Sequence, residues 1–94
     1  MPGQGRFHVS KFYKSPEWKR VRLAHLVEHP ICVECNKSGQ PVIGNTVDHV
    51  KQINALDPYD THGGKYGEPL DFDNLQTLCE KHHAIKSGKE RWKK

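Results

Sequence analysis

Apolar positions along this 94-residue chain are sparse and fall into short groups. The first ten residues, MPGQGRFHVS, carry glycine and proline without periodicity and read as a mobile arm. A helix is predicted to open at Ser15-Pro16-Glu17. Serine can cap, proline suits the first helical position, and glutamate suits the positive end of the helix dipole. Pro30 predicts that this helix stops near Glu28. Within it Trp18, Val21, Leu23, Leu26 and Val27 do not share one narrow stripe, so the helix is expected to meet two surfaces, with Lys19, Arg20 and Arg22 in solvent. Cys32 to Cys35 predicts a tight turn. TVDHV at 46–50 alternates and is β-branched, which predicts a strand, with PVI at 41–43 pairing just before it. Residues 51–70 form a long loop with Gly63, Gly64 and Gly67, and loops of that length usually serve a function or move. Asp73 is the expected N-cap of a last short helix that starts near Asn74 or Leu75 and ends before Ser87-Gly88. The organisation expected is an arm over 1–10, one domain over 11–88 and a basic tail over 89–94.

Composition narrows the class. Only 34% of residues are hydrophobic and the mean hydropathy is −0.85, so the core is thin and a metal or disulfide staple is expected. The three cysteines, Cys32, Cys35 and Cys79, cannot pair completely within the chain. There is no signal peptide and no apolar run of membrane-spanning length, which leads to an expected cytoplasmic location without membrane contact. In that reducing setting clustered cysteines more often hold metal than each other. The formal net charge is +4, unevenly spread: residues 1–30 hold six Lys/Arg against two acids, 81–94 six against one, and 51–80 two Lys against six acids. Basic ends around an acidic middle suit a polyanionic partner, although a solvated surface has the same pattern.

Cys32-x-x-Cys35 and Cys79-x-x-His82 supply two ligand pairs. A two-residue gap lets both side chains of a pair turn to one ion, and two pairs complete a tetrahedron for structural zinc. Forty-three residues separate Cys35 from Cys79, so the ion would clip distant parts of the chain together. A redox CxxC pair and buried thiols are the other readings, but neither explains the accompanying histidine. His83 follows His82 directly, about 100° around a helix, and so faces a different space. Asp48 and His83 offer a hard oxygen and an imidazole, suited to an open divalent-metal site. His49 can take a proton from water near neutral pH, and Asn74 can fix a loop. The reverse assignment, His83 on zinc and His82 on the other ion, is the alternative. The remaining histidines, His8, His25, His29 and His62, match no ligand spacing.

HPICVEC (29–35), VDHV (47–50) and NLQTLCEKHHAIK (74–86) together resemble the HNH endonuclease family in its small phage and bacterial form, over about Phe12 to Lys86. The resemblance implies an α+β fold: a ββα-metal (His-Me finger) core with a structural zinc site and an N-terminal helix. It implies His49, Asn74 and His83 as the catalytic residues, and Asp48 with His83 as ligands of a catalytic Mg²⁺, Mn²⁺ or Ni²⁺. The zinc ligands would be Cys32, Cys35, Cys79 and His82, with His82 where many relatives carry cysteine. The expected substrate is DNA, with Lys51, Lys81, Lys86 and Lys89 meeting phosphates. One such site cuts one strand, so a monomer should nick, and a transient dimer could cut both. Small proteins of this type also resemble those working beside the DNA-packaging terminase, which makes the terminase large subunit a further expected partner. The competing expectation is a zinc-stapled DNA-binding module without catalysis. The loop before Asn74 is longer than in many relatives, and Val50-Lys51-Gln52 stands where many have proline.

Overall fold

The computed structural model describes residues 4–92, and side chains from Val9 to Lys89. Its centre is a two-stranded antiparallel sheet of β1 (Thr46–His49) and β2 (Leu75–Leu78), followed directly by the last helix, α4 (Glu80–Trp92). The register pairs Thr46 with Leu78, Val47 with Thr77, Asp48 with Gln76 and His49 with Leu75. Two strands alone are marginal in water, and this sheet is covered by helices α2 (Pro16–Glu28) and α4, with α1 (Gln4–Tyr13) packed on α2 and reaching the core through Phe12. The core is small: Phe12, Trp18, Val47, Ile53 and Leu75, with Val21, Leu26, Leu70 and Phe72 packed against it.

Helix α2 forms as its signals indicate. Ser15 accepts from Trp18 N at 3.2 Å, Pro16 is the first helical residue, and His29 ends the helix one residue before Pro30. It does not meet two apolar surfaces. Leu23 and Val27 stay exposed, and the buried side consists of Trp18 and His25 with Val21 and Leu26 beside them. The stripe is regular once a histidine is admitted to it. His25 belongs to the core because the Thr77 hydroxyl lies 3.2 Å from its Nδ1 while donating to the His29 carbonyl at 2.5 Å.

Four expectations are corrected. Helix α1 begins inside the segment read as an arm and runs beyond it to Tyr13, and its C-terminal end carries Phe12 into the core. The CVEC segment is not merely a turn but begins a short helix, α3 (Val33–Lys37). PVI does not pair ahead of β1: Ile43 bridges Ile31, and Cys32 N donates to Val42 O at 2.8 Å, so 30–44 folds on itself around α3. Asp73 does not cap a helix at Asn74. Asp71 caps a 3₁₀ turn, Phe72–Asn74, and LQTL continues as β2 because β1 offers it a ladder. The last helix therefore starts later, at Glu80, and runs past Ser87-Gly88 to Trp92. Residues 1–3 of the arm and 93–94 of the tail lie outside the described residues.

Candidate active site and metal cluster

Adjacent residues of β1 point to opposite faces of the sheet. His49 turns toward the N-terminal helices, where Trp18 stacks on its ring at 5.0 Å between centroids. Phe12 and Tyr13 flank the same ring at 6.2 Å. The imidazole is buried, and its Nε2 lies 2.9 Å from the Pro69 carbonyl oxygen. A carbonyl can only accept, so Nε2 carries the ring proton of the neutral side chain. Nδ1 then keeps its lone pair, with the Tyr13 hydroxyl at 3.4 Å. Burial pushes the His49 pKa below the usual histidine value, against the opposing pull of the Pro69 carbonyl and Asp48. The result is a neutral imidazole with one fixed tautomer. Tyr13, Asp48, His49 and Lys86 all border one cavity of about 210 Å³ at the end of the strand.

Asp48 turns the other way, toward α4. Its Oδ2 accepts from Lys86 Nζ at 2.8 Å and from Gln76 Nε2 at 3.4 Å. His83, half-buried on α4, donates its backbone N–H to Cys79 O at 2.9 Å. Lys86 stands three residues further on, and side chains at that spacing are neighbours on a helix surface. The ion pair ties this part of α4 to β1.

Asn74 joins three backbone segments. Its Oδ1 accepts from Lys51 N at 2.8 Å, and its Nδ2 donates to Lys51 O at 3.1 Å and Glu68 O at 2.9 Å. Both ends of the long loop are held by this one amide, next to Val50 on one side and Pro69 on the other. Gly67 makes the closure possible: a Cβ there would overlap the Asn74 amide and the Lys51 carbonyl. The loop is therefore a strap that delivers the Pro69 carbonyl to His49.

Cys32, Cys35, Cys79 and His82 converge, with all ligand atoms within 4.8 Å of one another. His82 Nδ1 lies 3.6, 3.4 and 3.3 Å from the sulfurs of Cys32, Cys35 and Cys79, and the Cys35 and Cys79 sulfurs are 3.8 Å apart. A tetrahedral zinc, with Zn–S about 2.3 Å and Zn–N about 2.0 Å, has edges of about 3.8 Å between sulfurs and about 3.5 Å from sulfur to nitrogen. The cluster fits that ion. Burial opposes ionisation of Cys32, but backbone groups of Cys35, Cys79 and Glu34 outweigh it and lower the thiol to about 6. Burial and the neighbouring thiols push Cys35 up to about 11. Three thiolates would therefore need a cation among them. It is His82 that joins the thiols, which leaves His83 outside the cluster.

Of the four lysines expected at phosphates, Lys51, Lys81 and Lys89 are exposed. The Lys51 ammonium reaches the Gly64 carbonyl. Lys89 and Lys86 border a groove of about 540 Å³ beside Val50, Gln76 and Ile85. The residues that sequence reasoning missed are Tyr13, Gly67 and Pro69, together with the stacking of Trp18 on His49. Trp18 was legible as core, but no spacing ties it to His49. Tyr13 lies next to a segment without apolar periodicity, and Pro69 reaches the site only through the fold of the strap.

The HNH endonuclease family matches residues 32–89, more than half of the chain. No curated protein matches. Among solved structures, the HNH endonuclease of the deep-sea thermophilic bacteriophage GVE2, crystallised with manganese ion, is similar with a TM-score of 0.71 and 31% identity, over 93% of this chain and 86% of that one. The ββα order, the Cys₃His cluster and these two matches agree, and the chain belongs to the HNH endonuclease family of DNA-hydrolysing nucleases.

Proposed function

We propose that this nuclease hydrolyses a DNA phosphodiester with His49 as general base, Asp48 and His83 as ligands of a catalytic divalent cation, and Asn74 holding the strap. The observation that carries the reading is the state of His49: buried, its pKa lowered by that burial, its Nε2 held by the Pro69 carbonyl, and the residue bordering a cavity that Asp48 shares. Nδ1 accepts a proton from water, and the oxygen so released attacks phosphorus. The bond between phosphorus and the 3′ oxygen breaks, and that oxygen takes a proton from solvent water, leaving 5′-phosphate and 3′-hydroxyl ends. The donor set of a carboxylate and an imidazole fits Mg²⁺, Mn²⁺ or Ni²⁺, and the similar phage enzyme was crystallised with manganese. When bound, the cation supplies positive charge for the transition state and the departing oxygen. The Cys₃His cluster holds structural zinc. Lys51, Lys81, Lys86 and Lys89 contact phosphates, and one site per chain nicks one strand.

A zinc-clamped DNA-binding module without catalysis would use the Cys₃His cluster and the lysines. It gives no reason to bury an imidazole, fix its tautomer through Pro69 and set it at the border of a cavity that a carboxylate shares. Plasmid nicking with added Mn²⁺ separates the two: His49→Ala should lower the rate by about 10²–10⁴-fold, and equal nicking by wild type and variant would exclude His49 as the base. Partnership with the packaging terminase rests on resemblance to small phage proteins of this type. A pull-down against the terminase large subunit tests it, and binding retained by His83→Ala would show a role independent of cleavage.

A further inference from the structure

Lys86 occupies an unexpected place for a phosphate-binding residue. Its ammonium lies 2.8 Å from Asp48 Oδ2, and the two side chains are only 24% and 19% exposed. The pair is shielded enough for its attraction to exceed that of an exposed ion pair. Gln76 adds a second donor to the same oxygen at 3.4 Å. Lys86 also borders two spaces, the 210 Å³ cavity with Asp48 and His49 and the 540 Å³ groove with Lys89. It stands at the boundary between the carboxylate and the lysine-lined groove, one flexible side chain away from either.

Resting on the reading of Asp48 as a metal ligand, we propose that Lys86 is an exchangeable counter-cation of that carboxylate. In the metal-free protein it neutralises Asp48. A divalent cation displaces the ammonium, which swings to the groove and meets a phosphate of the bound strand. A cation and an ammonium cannot both pair closely with one carboxylate oxygen without like-charge repulsion. Metal entry must therefore break the ion pair, and the groove gives the released charge a partner. Without DNA, Lys86 weakens metal binding. With DNA that penalty is relieved, so metal and DNA each raise the other's affinity by the same factor.

Calorimetric titration of Mn²⁺ into the zinc-loaded protein, without DNA, tests this directly. Lys86→Met should bind Mn²⁺ about tenfold more tightly than wild type, as expected for loss of a partly shielded competitor. Lys86→Arg, which retains a cation, should stay near wild type. Lys89→Met, one turn further on α4 and bordering the groove but not the cavity, should leave Mn²⁺ affinity unchanged. Asp48→Asn should lose the Mn²⁺ site. If Asp48→Asn loses binding while Lys86→Met equals wild type, the exchange is wrong and the metal assignment stands. If Lys89→Met tightens binding as much as Lys86→Met, a diffuse field explains the effect and the exchange is again wrong. If Asp48→Asn binds Mn²⁺ like wild type, the metal assignment fails and takes the exchange with it.

Discussion

At Asn74 a single carboxamide makes three hydrogen bonds to backbone on both sides of the strap. Sequence alone left two roles open, helix capping beside Asp73 or fixing a loop. The cap of the short turn is Asp71, whose carboxylate accepts from Asp73 N at 2.9 Å. Asn74 is free of that task and ties Lys51 to Glu68. Asn74→Ala removes a net hydrogen-bond contribution of about 1–3 kcal/mol for the group. It also releases the chain that carries Pro69 to His49. The expected outcome is a modest fall in stability by urea denaturation and a much larger fall in nicking rate. Gly67→Ala should act similarly through overlap, costing about 1–3 kcal/mol, with Asn74 displaced from Lys51. A stable Gly67→Ala variant with full nicking activity would contradict the strap.

Helix α4 carries one ligand of the thiol cluster and, in the proposed mechanism, one ligand of the catalytic cation. Its first turn gives His82 to the thiol cluster, His83 stays outside that cluster, and Lys86 in the next turn pairs with Asp48 of β1. Neighbouring histidines can divide the work because each helical step rotates the side chain by about 100°. Loss of His82 should therefore act on folding, and loss of His83 on catalysis. His82→Ala should release zinc and lower the melting temperature by many degrees, since metal binding is part of the folding free energy of so small a core. His83→Ala should keep zinc and wild-type melting but lose Mn²⁺-dependent nicking. Zinc content by mass spectrometry of the native protein and a thermal melt distinguish the two. The ligand pairs were legible because CxxC and CxxH fix local geometry. Helix α2 was legible through Ser15 and Pro16, and β1 through its alternation. Strand β2 was not: LQTL is four residues long, and its pairing with β1 decides its conformation more than its propensity does. Helix α1 was hidden because an early run with Gly3 and Gly5 shows no apolar stripe.

Across the whole molecule, the thin core is completed by polar groups. His25, His49 and Thr77 are buried among few apolar side chains, and no buried side-chain polar atom among the described residues lacks a partner. Hydropathy alone could not place His25, because a histidine between Leu23 and Leu26 reads as polar surface. Its burial has a consequence for stability. Burial lowers the His25 pKa below 6.5, and the nearby His29 lowers it further, against the raising influence of Glu28 and the Leu75 backbone. The unfolded chain keeps the ordinary value. As pH falls below about 6.5 the unfolded state takes up a proton that the folded state refuses, so folding stability declines. The decline for this group continues until pH reaches the lowered folded pKa, with a slope of at most about 1.4 kcal/mol per pH unit. Above pH 6.5 both states are neutral and this contribution is full. His25→Gln removes the titration and retains an amide to meet the Thr77 hydroxyl. Urea denaturation at pH 7.5 and 5.5, with zinc present throughout, should find wild type more stable than His25→Gln at the higher pH and the two converging at the lower. A constant difference between them would mean that His25 titrates alike in the folded and unfolded states, and that its burial contributes packing without proton linkage.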